Sequence, residues 1–234
     1  MSSARFPAVA LATLVLFVLP AESFAARSPA TEGGASALYG TGEIFSANVA
    51  QFPEWTDAMA RAERELAPAR RCEAGRGAAG QAGCGPPEWR DLIAEVRSLP
   101  LMAKLTRVND AINRHPYVPT VQNWHRAMYW ETPFEFLARG GQCQDYAIAK
   151  YLALREAGVP DASMRMLVLR DTALGVDHAV LVATVDGEAY LLDNLRPEIR
   201  PEARAPEYRP YYAINLSGWW LYAGGRNILV ARGG

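Results

Sequence analysis

The chain has 234 residues, half of them hydrophobic, which is enough for one compact domain with its own core or at most two small lobes. Its 24 basic and 25 acidic residues leave a formal charge of −1. No overall field therefore favours nucleic acid or an anionic membrane, and function has to be sought in local sites.

The first feature in chain order is the apolar run from Ala8 to Leu19, preceded by Arg5 and followed by the small-residue pattern of Ser23, Phe24 and Ala25. It is too short to span a bilayer comfortably and reads as a cleaved export signal over residues 1–25. Residues 26–234 are then the mature domain, not membrane-spanning and located in an oxidising compartment. An irregular arm containing YGTGEIFSANVAQFPEW leads into a predicted helix from Phe52 to Leu66. Beyond it, Cys72 and Cys84 bracket EAGRGAAGQAG, which has nothing with which to build a core. No CxxC or His-rich partner completes a metal site there, so a Cys72–Cys84 disulfide is expected. Cys143 is left unpaired.

Pro86 and Pro87 open a helix in which Trp89, Leu92, Ile93, Val96 and Leu99 recur at helical spacing. Pro100 ends it, and Leu101, Leu105, Val108 and Ile112 repeat the pattern in a second helix closed by NRHPYVP. A third long helix opens after Gly140 and Gly141, is apolar on nearly every face from Tyr146 to Leu154, and stops at Gly158 and Pro160. A helix of that kind is central. Cys143 lies in or just before its first turn, where free N–H groups and the positive end of the helix dipole favour a thiolate.

The segment HAVLVATVDGEAYLLDN reads as two strands joined by an Asp186-Gly187 turn. If Val185 faces Glu188, then Val180 faces Asp193 and His178 faces Leu195. His178 and Asp193 become same-face diagonal neighbours, roughly 7 to 8 Å apart at Cα. A thiol at a helix start with an imidazole held by a carboxylate is the Cys-His-Asp arrangement of nucleophilic catalysis. Asp177, next to His178 on the strand, points to the other face. His115 and His125 read as loop or surface residues.

These residues also carry a resemblance. WETPFEFLARGGQCQDYAIAKYLALREAGVP, DHAVLVA and YLLDNL, with GTGEIFSANVAQFPEW before them and INLSGWWLYAGG after, resemble the bacterial transglutaminase-like cysteine peptidases, in particular the LapG-type periplasmic proteases. The resemblance implies an α+β, papain-like or transglutaminase-like fold. A helical lobe to about residue 160 carries the nucleophile at a helix N-terminus, and an antiparallel β lobe over 161–234 carries the other two groups. It implies Cys143 as nucleophile, His178 as general base and acid, and Asp193 as the residue that orients the imidazole. The oxyanion donors would be the Cys143 backbone N–H with Gln142 or Trp130. The implied substrate is a large biofilm adhesin, cut near its N-terminus at a dialanine site and so released from the cell surface. An inner-membrane receptor that senses a cyclic dinucleotide is the implied regulatory partner. Two other classes share these features: an acyl-transfer enzyme, such as a transglutaminase or cell-wall amidase, and a non-catalytic relative that binds adhesin or receptor. Trp55, Trp219 and Trp220 are candidates for a docking patch or for the core.

One departure concerns metal. The LapG-type pattern has acidic residues on both sides of the cysteine, belonging to a calcium site. This chain has Gln142, Gln144 and Asp145, of which only Asp145 is acidic. Calcium favours several hard, charged oxygens, so calcium binding is expected to be weak or absent and no cofactor required. Neutral amides beside the sulfur also remove negative charge that would disfavour a thiolate.

Overall fold

A computed structural model describes residues 38–73 and 83–223, all within one compact unit. The export signal expected over residues 1–25 and most of the Gly-rich insert lie outside the described residues. No described helix is long and apolar enough to cross a membrane.

The helices follow the apolar spacing. Helix α1, Pro53–Glu73, runs past the expected end at Leu66 and through Pro68. Its extension is held from outside: Ala69 is buried, Arg70 pairs with Glu156 of a later helix at 2.7 Å, and Cys72 is bonded to Cys84 across a Cα separation of 5.5 Å. Helix α2, Pro87–Arg97, buries Trp89, Leu92, Ile93 and Val96, and α3, Leu101–Ile112, buries Leu105, Val108 and Ile112. Two short helices that apolar spacing does not reveal follow, α4 at Thr120–Trp124 and α5 at Pro133–Arg139. Helix α5 is set by its ends: Thr132 accepts the Glu135 N–H, Glu135 accepts the Thr132 N–H, and Pro133 opens the first turn.

Helix α6, Cys143–Glu156, is buried continuously from Asp145 to Leu154. It touches α2, α3 and α5 as well as strands β2, Met164–Asp171, and β3, Val176–Val185. The expectation of a central helix is met. Strands β4, Glu188–Leu192, β5, Arg200–Pro201, β6, Tyr208–Ile214, and β7, Trp219–Ala223, complete most of the sheet. The last strand, β1 at Gly42–Ser46, comes from the arm read as irregular. It is an edge strand whose every residue is fixed by pairing with β7, a contact that no local pattern could announce. The order is β1-β7-β6-β2-β3-β4-β5, and every ladder is antiparallel. The α+β class is as expected, with helices packed on an antiparallel sheet.

The β3–β4 turn has the geometry that its sequence requires. Asp186 and Gly187 both take positive φ, at 51° and 83°, and Val185 pairs with Glu188, carrying the register along to Leu181 opposite Leu192. Both sheet faces are covered. Leu181 and Ala183 join the main core with α6, while Val180 and Val182 join a second cluster with Leu169, Leu191 and Tyr208. Trp55 lies in the main core at 1% exposure, which removes it from any docking patch; Trp219 packs against that core, and Trp220 lies 3.8 Å beneath the Arg165 guanidinium.

Lys150 is the one cation on the inward side of α6 and is 1% exposed. No hydrogen bond holds it among the described residues, and the charge of Asp193 only partly offsets burial, which pushes its pKa down to about 7. The unfolded lysine keeps its proton to a higher pH. Between pH 7 and about 10.4 the unfolded chain therefore binds more protons, and stability rises with pH over that window. Lys150→Met is expected to stabilise the fold by on the order of 2 kcal/mol in denaturant titrations at pH 6. The gain should shrink at pH 10, and a pH-independent difference would contradict this account. Separately, Cys72→Ser with Cys84→Ser is expected to cost about 3 kcal/mol of unfolding free energy under oxidising conditions and nothing once the wild type is reduced.

Candidate active site

The approach to Cys143 is built from two glycines that admit no side chain. Gly140 has φ +73° and donates its N–H to Phe136 O at 2.7 Å, and a Cβ on it would lie 2.2 Å from Pro116 O. Gly141 donates to Pro116 O and accepts from the Val118 N–H at 3.0 Å, while a Cβ there would meet the Asp145 side chain at 2.8 Å. Asp145, in the first turn of α6, accepts the Gln142 N–H at 2.8 Å on Oδ2 and the Glu131 N–H at 2.9 Å on Oδ1. Burial nevertheless pushes its pKa up to about 7. One carboxylate thus ties the segment before α6 to the segment before α5, and Cys143 sits on that knot as the first residue of its helix.

The Cys143 thiol is half-buried, unpaired, and 3.6 Å from Gln144 Oε1. It is also close enough to His178 to act on the imidazole. His178 is buried on β3, and its Nε2 lies 2.8 Å from Asp193 Oδ1, which leaves Nδ1 for the sulfur. Asp193 stands one residue past the end of β4, where its backbone is free of the ladder. Its carbonyl accepts from Asn113 Nδ2 at 2.8 Å, and its carboxylate also takes the Leu195 N–H at 2.8 Å and the Tyr208 hydroxyl. The fold therefore brings together the three side chains singled out in the sequence.

Their protonation follows from the contacts. Burial lowers the imidazole pKa, but hydrogen bonds to Asp193 and Cys143 overcome it and hold the value at about 9. Burial raises that of Asp193, but His178, Tyr208 and the Leu195 N–H bring it down to about 2. At neutral pH the pair is imidazolium and carboxylate, a state suited to holding a thiolate nearby.

The remaining candidates sit as follows. Gln142 accepts from Thr120 Oγ1 and its Nε2 is 3.4 Å from the Tyr117 hydroxyl, so its amide is held at both ends. The Cys143 N–H, at the start of α6, has no helical acceptor. Trp130 packs its ring against the main core. Asp177 turns away from His178, as expected, to Arg170 at 3.1 Å and Tyr211 at 2.9 Å. His125 is exposed after α4, while His115 is drawn inward between Glu88, 3.1 Å away, and the Phe136 ring.

A calcium ion fits these residues poorly. Both oxygens of Asp145 already receive backbone N–H groups, Gln142 Oε1 is taken by Thr120, and Gln144 is neutral. Glu131, nearby and buried, gives Oε1 to Trp124 and Asn123 and leaves Oε2 without a partner. That is one uncommitted carboxylate oxygen where calcium takes 6–8 ligands. Among the described residues no group of three or more His, Cys, Asp or Glu side chains is placed to hold a metal.

The sequence profile of the bacterial transglutaminase-like cysteine proteinases matches residues 84–215, which contain all three clustered side chains. LapG of Legionella pneumophila is 32% identical over 57% of this chain and 74% of its own, with a TM-score of 0.52. Its calcium-bound form is 29% identical over 68% of this chain and 87% of its own, with a TM-score of 0.55. No curated protein sequence matches. The matched profile spans more than half of the chain and includes its free cysteine: the chain belongs to the bacterial transglutaminase-like cysteine proteinases and is a cysteine peptidase.

Proposed function

We propose that the chain is a periplasmic endopeptidase that releases a large surface adhesin by cutting near its N-terminus at a dialanine site, with Cys143 as nucleophile. The observation that carries this reading is a half-buried thiol in contact with an imidazole whose other nitrogen is locked onto a buried carboxylate.

The chemistry follows from those contacts. The Cys143 thiolate attacks the scissile carbonyl carbon, and the developing oxyanion is met by the Cys143 N–H and the Gln142 amide. His178 gives its proton to the leaving amine, which departs and leaves a thioester on Cys143. The neutral imidazole then takes a proton from water, hydroxide attacks the thioester, and the thiolate is expelled to meet the reformed imidazolium. Asp193 stays ionised throughout and fixes the ring. Tyr117 is 53% exposed beside Gln142 and offers an apolar wall suited to small, uncharged side chains such as alanine.

No step uses a metal, in keeping with the amides at Gln142 and Gln144. The relatives' calcium-bound form makes chelation the informative control. An inner-membrane receptor that responds to a cyclic dinucleotide is the proposed regulatory partner, on the strength of family membership alone.

Incubation of the mature protein with a periplasmic adhesin fragment should give two products joined originally through Ala-Ala, identified by mass. Cys143→Ala is expected to give none, and chelator to leave the yield unchanged. Cleavage by Cys143→Ala would place the nucleophile elsewhere, and loss of activity in chelator with recovery on added calcium would overturn the metal-free reading. Gly141→Ala presses on the Asp145 clamp and displaces the sulfur, so kcat/KM should fall on the order of a hundredfold. Circular dichroism should show the fold retained.

A further inference from the structure

We propose that Tyr208 is a positioning residue for the peptidase reaction, and that its hydroxyl, polarised by Arg196, locks the Asp193 carboxylate in the rotation that aims His178 at Cys143. This inference rests on the reading of Cys143, His178 and Asp193 as the reacting set.

Tyr208 is the first residue of β6 and is completely buried. Its hydroxyl meets Arg196 Nη1 at 2.7 Å and Asp193 Oδ2, with the Arg200 guanidinium also against it. A guanidinium only donates, so the phenol oxygen is the acceptor there and its single proton is committed to Asp193. The direction of the chain Arg196 to Tyr208 to Asp193 is thereby fixed. Burial and the neighbouring carboxylate hold the phenol pKa well above its ordinary value, so the proton stays in place across the working range.

The consequence is rotational. Asp193 Oδ1 receives His178 Nε2 and the Leu195 N–H, each at 2.8 Å, and Oδ2 receives Tyr208. With donors on both oxygens the carboxylate cannot swing without losing a charge-assisted bond. The Tyr208 ring also stands edge-on to the imidazole, with centroids 6.3 Å apart, and limits its tilt.

Charged groups surround this chain on every side. Lys150 faces Asp193 from α6 and His178 from β3. Asp171 on β2 pairs with Arg196 at 2.7 Å, Glu207 lies 3.5 Å from Arg196 and 2.5 Å from Arg200, and Arg200 stacks 5.1 Å over the Tyr208 ring. Arg196 Nη1 thus faces Asp171 and the phenol together and lies 3.8 Å from Asp193 Oδ2, while its Nε turns to Glu207.

The test compares Tyr208→Phe with wild type by alkylation of Cys143 by iodoacetamide as a function of pH, with kcat and KM on the adhesin fragment and thermal unfolding as companions. Loss of a hydrogen bond to a charged group should lower kcat roughly tenfold or more with KM little changed. Without the phenol proton the carboxylate is easier to protonate, so the acid limb of the alkylation profile should move to higher pH. A ring-fluorinated tyrosine at 208, which keeps the shape and donates more strongly, should move it to lower pH. It carries the test should Tyr208→Phe fail to fold. A limb that moves for neither overturns the inference, because a merely structural role changes stability and not the pH at which the thiolate forms. His178→Ala and Cys143→Ala separate the two readings: if both variants still cut, the reacting set is wrong. If both are inactive while the position-208 variants titrate as wild type, only the role of Tyr208 is wrong.

Discussion

The bond between His178 and Asp193 joins two groups that are both removed from water, and the surrounding structure is organised to keep that state charged. A buried imidazole left alone would titrate below its ordinary value, and a buried carboxylate alone above it. Each is moved the other way, His178 to about 9 by Asp193 and Cys143, and Asp193 to about 2 by His178, Tyr208 and the Leu195 N–H. The pair survives burial because its outer lone pairs are filled by the Leu195 N–H and Tyr208, and because the Asp193 backbone is pinned by Asn113 from the end of α3. Sheet, helix layer and the segment after β4 therefore meet at a single carboxylate. Of the three clustered residues, only Cys143 is not buried.

Much of this was legible from the chain because it depends on local rules. An Asp-Gly turn fixes its own register, so the approach of His178 to Asp193 could be counted along two strands before any tertiary contact was known. Helix α6 was legible because its apolar residues face all ways and glycines bound it. What escaped reading is what tertiary contact decides. Strand β1 exists only because β7 lies beside it, Tyr208 reaches Asp193 from beyond β5, and Arg196 reaches Tyr208 from the segment between β4 and β5, with no motif to mark either. Helix α5 is a different case. Its Thr-Pro-x-Glu start is a local signal, present in WETPFEF, that apolar periodicity passes over because the helix is only two turns long.

Asp145 illustrates how a residue can be found and its role still missed. As the one acid left beside the cysteine it invites a metal. Its oxygens are instead filled by the N–H groups of Gln142 and Glu131, and that makes it the clamp that fixes Cys143 on α6. Composition counts the charges around a site, but whether an oxygen is still free to bind an ion depends on backbone groups that a sequence does not display.

The same clamp gives the two glutamines a physical sense. A carboxylate in place of Gln142 or Gln144 would stand next to the proposed nucleophilic sulfur, with Asp145 and Glu131 already buried close by. Several acids in so small a volume need a cation to balance them. Two neutral amides reduce the local negative charge without one, and Gln142 keeps the shape needed to reach Thr120 and Tyr117. In the proposed mechanism the positive charge opposite the sulfur is supplied by the imidazolium of His178, whose pKa is held high by Asp193 and Cys143. On the proposed mechanism the charge balance of the sulfur is thus set from the sheet side of the site, and the residues flanking Cys143 are left to position it.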